Sequence, residues 1–188
     1  ATCVIKGDMS VKGDPEIVVT AVIKDDQLGT SYGIVENCSF NGKFTNNYKN
    51  GLGFNDANSA IIITEFKGDY KEIPIRIPSA TINNLEKPVA TGKFNSEYDV
   101  VKLGNFINED FIKFSGGNAK VNLDFKVDIV DLKLHKPKFT GAILIKNADL
   151  FLKSKNVNFQ KADIDLYFTE QALLIKKIKF KNNITLKT

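Results

Sequence analysis

Residues 121–129, VNLDFKVDI, alternate without a slip: Val121, Leu123, Phe125, Val127 and Ile129 share one phase, and Asn122, Asp124, Lys126 and Asp128 the other. A side-chain period of two is that of a strand with one dry and one wet face. Past residue 118 the pattern is almost continuous, through AKVNLDFKVDIV (119–130), AILIKNADLFLKS (142–154), NVNFQKADIDLYFT (156–169) and ALLIKKIKFKNNITLK (172–187). His135-Lys136-Pro137 and Ser154-Lys155-Asn156 are the turns expected between them. In AILIKNADLFL the apolar phase changes between Ile145 and Leu150, which predicts a bulge or tight turn at Lys146-Asn147.

The first half carries the apolar, β-branched runs EIVVTAVI (16–23) and SAIIITEFKG (59–68). In KEIPIRIPSATI (71–82), Ile73, Ile75 and Ile77 alternate with Pro74 and Pro78; proline cannot donate to a ladder, so an edge strand or irregular junction is expected. One short helix is expected in NSEYDVVKLGNF (95–106), capped by Asn95 or Ser96 and ended by Gly104, with a further turn in NEDFIKF (108–114). Gly42, Gly68, Gly92, Gly116 and Gly141 recur 24 to 26 residues apart, four of them two residues after a phenylalanine (Phe40, Phe66, Phe114, Phe139). A true repeat would be one hairpin-sized unit per period. The predicted class is mainly all-β and antiparallel, with one or two short helices.

The dry face needs a cover. Full burial of the five apolar side chains of 121–129 is worth on the order of 10 kcal/mol at roughly 1.5–3 kcal/mol each. With one helix candidate in the chain, the cover is either a second sheet, as in a compact β-sandwich, or acyl chains, whose CH₂ groups each gain about 0.8 kcal/mol on leaving water. The sandwich reading makes the protein a binding or scaffold module, recognising protein or glycan through loops such as 46–58. An outer-membrane barrel is disfavoured by the absence of tryptophan for interfacial girdles and by heavily charged wet positions.

Composition adds limits. The 188 residues are 43% hydrophobic and 26% charged, with net charge +4 that no segment concentrates into a nucleic-acid footprint. The densest basic stretch, Lys176 to Lys181, reads as a lysine-protected strand edge or a contact for anionic lipid. Cys3 and Cys38 permit one disulfide without implying it. His135 is the only histidine and reads as a loop residue, so no base–nucleophile pair is legible. Asp25-Asp26 and Asn108-Glu109-Asp110 read as polar loops, and FNDANS (54–59) lacks the glycine and closing glutamate of a calcium loop. Gly116-Gly117 is followed by no Lys-Ser/Thr and reads as a bend between strands. Tyr32, Tyr48 and Tyr70 are assigned structural use. No enzyme activity, cofactor, metal or nucleic-acid partner is expected. The chain is read as a single β-rich unit, 1–188, with a sub-boundary at 88–95. It opens without Met and lacks any apolar run near 20 residues, so it is expected to be a piece of a longer or processed protein.

Residues 139–183 resemble the C-terminal repeat region of AsmA-family proteins: Gly141 opens a strand, Ile145-Lys146-Asn147-Ala148 forms the I-x-N-A corner, and Leu173-Leu174-Ile175 the closing L-x-I strand. CSFNGKFTNN (38–47), NDANS (55–59) and INNLEKPVATGKF (82–94) are similar in texture to AsmA-like proteins of bacteria, and the family's N-terminal membrane helix is missing. The resemblance implies an elongated, curved antiparallel sheet forming an open groove or incomplete barrel. It also implies a periplasmic, inner-membrane-anchored parent protein acting in lipid transport and outer-membrane assembly, as its TamB-type and bridge-like relatives are thought to do. On that reading the dry face binds phospholipid acyl chains through Val121, Leu123, Phe125, Val127, Ile129, Ile143, Ile145, Leu150, Leu152, Ile164, Leu166 and Phe168, and the wet face looks into the periplasm.

Overall fold

The computed structural model describes residues 1–10, 13–131, 133–179 and 185–186. Its strands are β1 (Thr2–Lys6), β2 (Glu16–Thr30), β3 (Gly33–Thr45), β4 (Ala60–Tyr70), β5 (Ile73–Asn83), β6 (Val89–Asp99), β7 (Ile112–Val130), β8 (Lys133–Leu152), β9 (Val157–Phe168) and β10 (Leu173–Lys179), with a two-residue β11 (Thr185–Leu186) against β9. Each of the ten lies beside its neighbour in sequence, in the order β1 to β10, and the two ends of that order do not meet. The fold is an open antiparallel sheet, all-β as the alternation predicts. The compact sandwich is not adopted, because all the strands described belong to one sheet.

Local departures from the predicted elements have identifiable causes. The helical piece is a 3-10 helix, Val100–Asn105, capped by Asp99, whose carboxylate accepts from the amide of Val101 at 2.9 Å. Asn95 and Ser96 belong to β6, and the buried Ser96 hydroxyl donates to the carbonyl of Pro74. β5 is not an edge strand: it runs between β4 and β6 with both prolines in it. His135-Lys136-Pro137 lies inside β8 rather than in a turn, with Lys136 at φ 49° absorbing the irregularity. The turn predicted at Ser154-Lys155-Asn156 is present as the 3-10 helix Lys153–Lys155 closed by left-handed Asn156.

The spaced glycines fall on β3, β4, β6, β7 and β8, so they do not mark one hairpin per period. Only some are needed sterically. A Cβ on Gly141 (φ 130°) would sit 2.2 Å from the Asn122 carbonyl oxygen, whereas one on Gly116 would meet nothing nearer than 3.8 Å.

By compactness the chain divides into two units, Ala1–Tyr70 with Ile75–Phe94 and Asp124–Lys138, and Lys71–Pro74 with Asn95–Leu123 and Phe139–Thr188. The first is centred on buried Val35, Cys38 and Phe66, with the Phe40 and Phe66 rings stacked at 5.7 Å. The second is centred on Val100, Ala119, Ile145, Ala148, Leu150 and Ala162.

Both units use the same device. Asn37 in β3 and Glu65 in β4 take positive φ, and the residues after them, Cys38 and Phe66, turn into the core. In the second unit Asn147 precedes buried Ala148 in β8 and Lys161 precedes buried Ala162 in β9. The register shifts at these points, between Glu36 and Ser39, Ser39 and Asn41, and Ile145 and Ala148. A bulge inserts one residue, bends the strand and re-aims the next side chain, so the apolar phase crosses each break onto the same face. The bulge predicted at Lys146-Asn147 is therefore present. Gly116-Gly117 is not a bend between strands; it lies inside β7, where Gly117 (φ 113°) brings its backbone against Ala148.

Candidate functional site

In the second unit the apolar face is assembled by cross-strand pairing. Ile143 lies opposite Leu166, Ile145 opposite Ile164, and Gly141 opposite Phe168; beyond the bulges Leu150 faces Phe159 and Leu152 faces Val157. Directly paired antiparallel residues share a face, so the predicted side chains of β8 and β9 come together. Their burial differs. Val121, Ile145 and Leu150 are buried, while Leu123, Ile143, Leu152, Ile164, Leu166 and Phe168 are half-buried.

The deeper part is filled by the chain itself. Val100, fully buried, and Leu103 of the 3-10 helix join the Ile145–Leu150 cluster. That helix is fastened by Lys102 Nζ donating to the Glu72 carbonyl at 2.9 Å and Asn105 Nδ2 donating to the Lys71 carbonyl at 3.2 Å. The Lys71 ammonium also lies 5.2 Å from the centre of the Phe106 ring.

Alternation in sequence left part of this face out. Val157 and Phe159 belong to it, but the bulge at Lys161 puts them on the opposite numerical phase from Ile164, Leu166 and Phe168. The signal was present in the sequence: Lys161-Ala162-Asp163 repeats the form of Asn147-Ala148-Asp149. Leu173, Ile175 and Ile178 of β10 pair with Phe168, Leu166 and Ile164 and extend the same face to the strand at the end of the order.

In the first unit, Val127 is buried and Phe125 and Ile129 are half-buried, while Asp124, Lys126 and Asp128 are exposed. The Phe125 ring covers Gly92, where an added Cβ would meet its Cζ at 2.7 Å. Ile129 donates its amide to the Pro88 carbonyl at 2.8 Å. Beside it an open hollow of about 690 Å³ is lined by the apolar Pro88, Val89, Ile129 and Val130 and the charged Glu86, Lys87, Asp128 and Asp131.

The loop at 46–58 is held by its own asparagines. Asn46 Oδ1 accepts from the amide of Ile17 at 2.7 Å, Asn58 Oδ1 from that of Lys49 at 2.9 Å, and Asn55 Oδ1 from that of Asn58 at 2.9 Å. These side-chain oxygens serve the backbone of the loop.

On the wet face of β8 and β9, Lys146 Nζ lies 2.6 Å from Asp165 Oδ1, and the hydrogen-bonded carboxylate holds the ammonium above the ordinary lysine range. Asp110 pairs with Lys153, which holds its carboxyl below the ordinary range. Cys3 is exposed and Cys38 buried, and both are free thiols; burial, then the nearby Asp26, pushes the Cys38 thiol up. Among the described residues no three His, Cys, Asp or Glu side chains are grouped to hold a metal, and no helix is long and apolar enough to cross a membrane. Compared with known proteins, the chain matches no family model, no curated protein and no solved structure.

Proposed function

We propose that this chain is a non-enzymatic, AsmA-like segment of the cell envelope that holds phospholipid acyl chains against the apolar face of its open sheet, in the service of lipid transport and outer-membrane assembly. The observation that carries the reading is the incomplete cover of that face. Leu123, Ile143, Leu152, Ile164, Leu166 and Phe168 are only half-buried, and the described strands of this sheet supply no second layer over them. Each of these side chains is at most about a third exposed and has roughly 0.5 kcal/mol of burial still to gain, so the six offer on the order of 3 kcal/mol to an apolar ligand. An acyl chain fits this demand because it needs no directional partner, and these six side chains carry no polar group to orient one.

The packed Val100–Leu103 cover sets a limit within the second unit. Ile145 and Leu150 lie beneath it, and the acyl contact falls to Leu123, Ile143, Leu166 and Phe168. In the first unit Ile129, which lines the open hollow, and Phe125, over Gly92, play the same part. The proposed setting is the periplasm, with the parent protein anchored in the inner membrane and phospholipid as the partner.

The test is to purify the chain from bacterial cells without detergent, extract it with organic solvent and count phospholipid per protein by mass spectrometry. Near-stoichiometric phospholipid is the expected result. A lipid-free protein that also takes up none from added short-chain phosphatidylcholine overturns the reading.

A further inference from the structure

β10 is the last strand in the sheet order, and no described strand pairs with its outer edge. Its sequence, LLIKKIK, contains no acidic residue. Leu173, Leu174, Ile175 and Ile178 are 53%, 43%, 61% and 47% exposed, an unusual concentration of bare aliphatic surface on one short strand. The lysines lie on the other face, which Leu174 shares through its pairing with Tyr167. Lys177 is opposite Asp165 and Lys179 opposite Asp163, and a register shift between Ile175 and Lys177 adds Lys176 on that side, its ammonium 4.4 Å from the centre of the Tyr167 ring. None of the three lysines forms an ion pair among the described residues, and the carboxylate facing Lys177 is already bound by Lys146.

We infer that β10 is a docking edge for an anionic lipid bilayer, the aliphatic side chains entering the interfacial layer and Lys176, Lys177 and Lys179 resting on headgroup phosphates. Two features favour a bilayer over an added protein strand. Lysines on an edge oppose strand pairing. Bare aliphatics beside cations are the composition that partitions to an anionic interface, where buried apolar area and surface charge act together. The inference goes beyond acyl binding on the sheet face and stands or falls separately from it.

The experiment is flotation of the whole chain with vesicles of pure phosphatidylcholine and of equal parts phosphatidylcholine and phosphatidylglycerol. Flotation with the anionic vesicles alone is expected, weakened by added salt. Replacing all three lysines (K176Q/K177Q/K179Q) should lower the affinity on the order of a hundredfold, each lysine near the surface counting for about fivefold. The chain has no tryptophan, so Ile175→Trp gives a single reporter that does not depend on the triple variant folding. Its emission should shift to the blue with anionic vesicles and not with neutral ones. Equal binding to both vesicles, an unshifted reporter, or a reporter that responds to poly-glutamate but not to vesicles overturns the inference, the last in favour of an acidic protein. Co-purified phospholipid without charge-dependent flotation defeats this inference alone. Flotation by a chain that retains no phospholipid defeats the acyl-binding proposal alone.

Discussion

The amide of Lys161 donates to the carboxylate of Asp149 on the facing strand at 2.9 Å. The arrangement is returned: the amide of Asn147 donates to Asp163 at 3.1 Å. Each bulge in β8 and β9 is thus capped by the aspartate two residues past the other bulge. A bulge frees a backbone N–H from the ladder, and these carboxylates accept what the ladder gives up. Asp149→Ala should therefore cost about 1 kcal/mol, while Asp149→Asn, which keeps an acceptor, should cost less. Amide hydrogen exchange at Lys161 checks this directly: faster exchange in Asp149→Ala with unchanged exchange in β3 is the expected outcome.

The adjacent glycines of β7 should tolerate substitution unequally. A Cβ on Gly117 would lie 2.5 Å from the Ala148 Cα at a φ of 113°, while one on Gly116 would reach only the Asp149 carboxylate at 3.8 Å. Gly117→Ala is expected to lose roughly 2 kcal/mol or more and Gly116→Ala under about 1 kcal/mol. Urea unfolding of the two variants side by side decides it.

Phe168 separates a lipid surface from an ordinary core. It is half-buried, and its partner across β8 is Gly141, which offers no side chain to pack against. Phe168→Asp should keep the far-ultraviolet circular dichroism of the parent and a stability within about 1 kcal/mol, while bound phospholipid falls away. Global unfolding of that variant would mean that the side chain is core.

The thiols should report the fold. Cys3 is exposed and Cys38 is buried with its thiol pushed up. A thiol reagent at neutral pH is expected to titrate one cysteine per native chain and both in denaturant.

Asp110 gives the pH dependence. Its hydrogen bond from Lys153, and then the charge of that lysine, hold the folded carboxyl below the unfolded value of about 3.9. Its contribution is therefore complete above that pH and is lost as the pH falls through the lower folded value. Carboxyl chemical shifts recorded by NMR should place its midpoint below that of an ordinary aspartate, and Lys153→Ala should restore the ordinary midpoint.

Periodicity made the all-β class legible, because side chains alternate wherever one face is wetter than the other. It made one bulge legible as well: in AILIKNADLFL the apolar side chains Ile145 and Leu150 stand on opposite phases. The matching break at Lys161 left the same trace, since Val157 and Phe159 stand on the opposite phase from Ile164 and Leu166, but the weakly apolar run between them did not draw attention to it. The irregularity in β7 was masked by Gly116-Gly117, which carries no side chain to reveal its phase. Pro74 and Pro78 predicted an edge or an irregular junction from their missing donors, but β5 carries both of them between β4 and β6. The cap of the short helix went to Asp99 because strand pairing took Asn95 and Ser96 first. Which apolar residues would be covered by Val100 depended on contacts distant in sequence, which no local pattern records.

The strand order bears on how such a sheet forms and changes. Every strand from β1 to β10 sits beside its predecessor, so no pairing depends on a segment arriving from far along the chain. A sheet of this kind can assemble progressively, each hairpin laid on the last, with short closures throughout. It can also change in extent through evolution, since one more hairpin beside β1 leaves the existing registers untouched. Span is then a quantity that selection can adjust in increments of a hairpin, independently of the side chains that line the face.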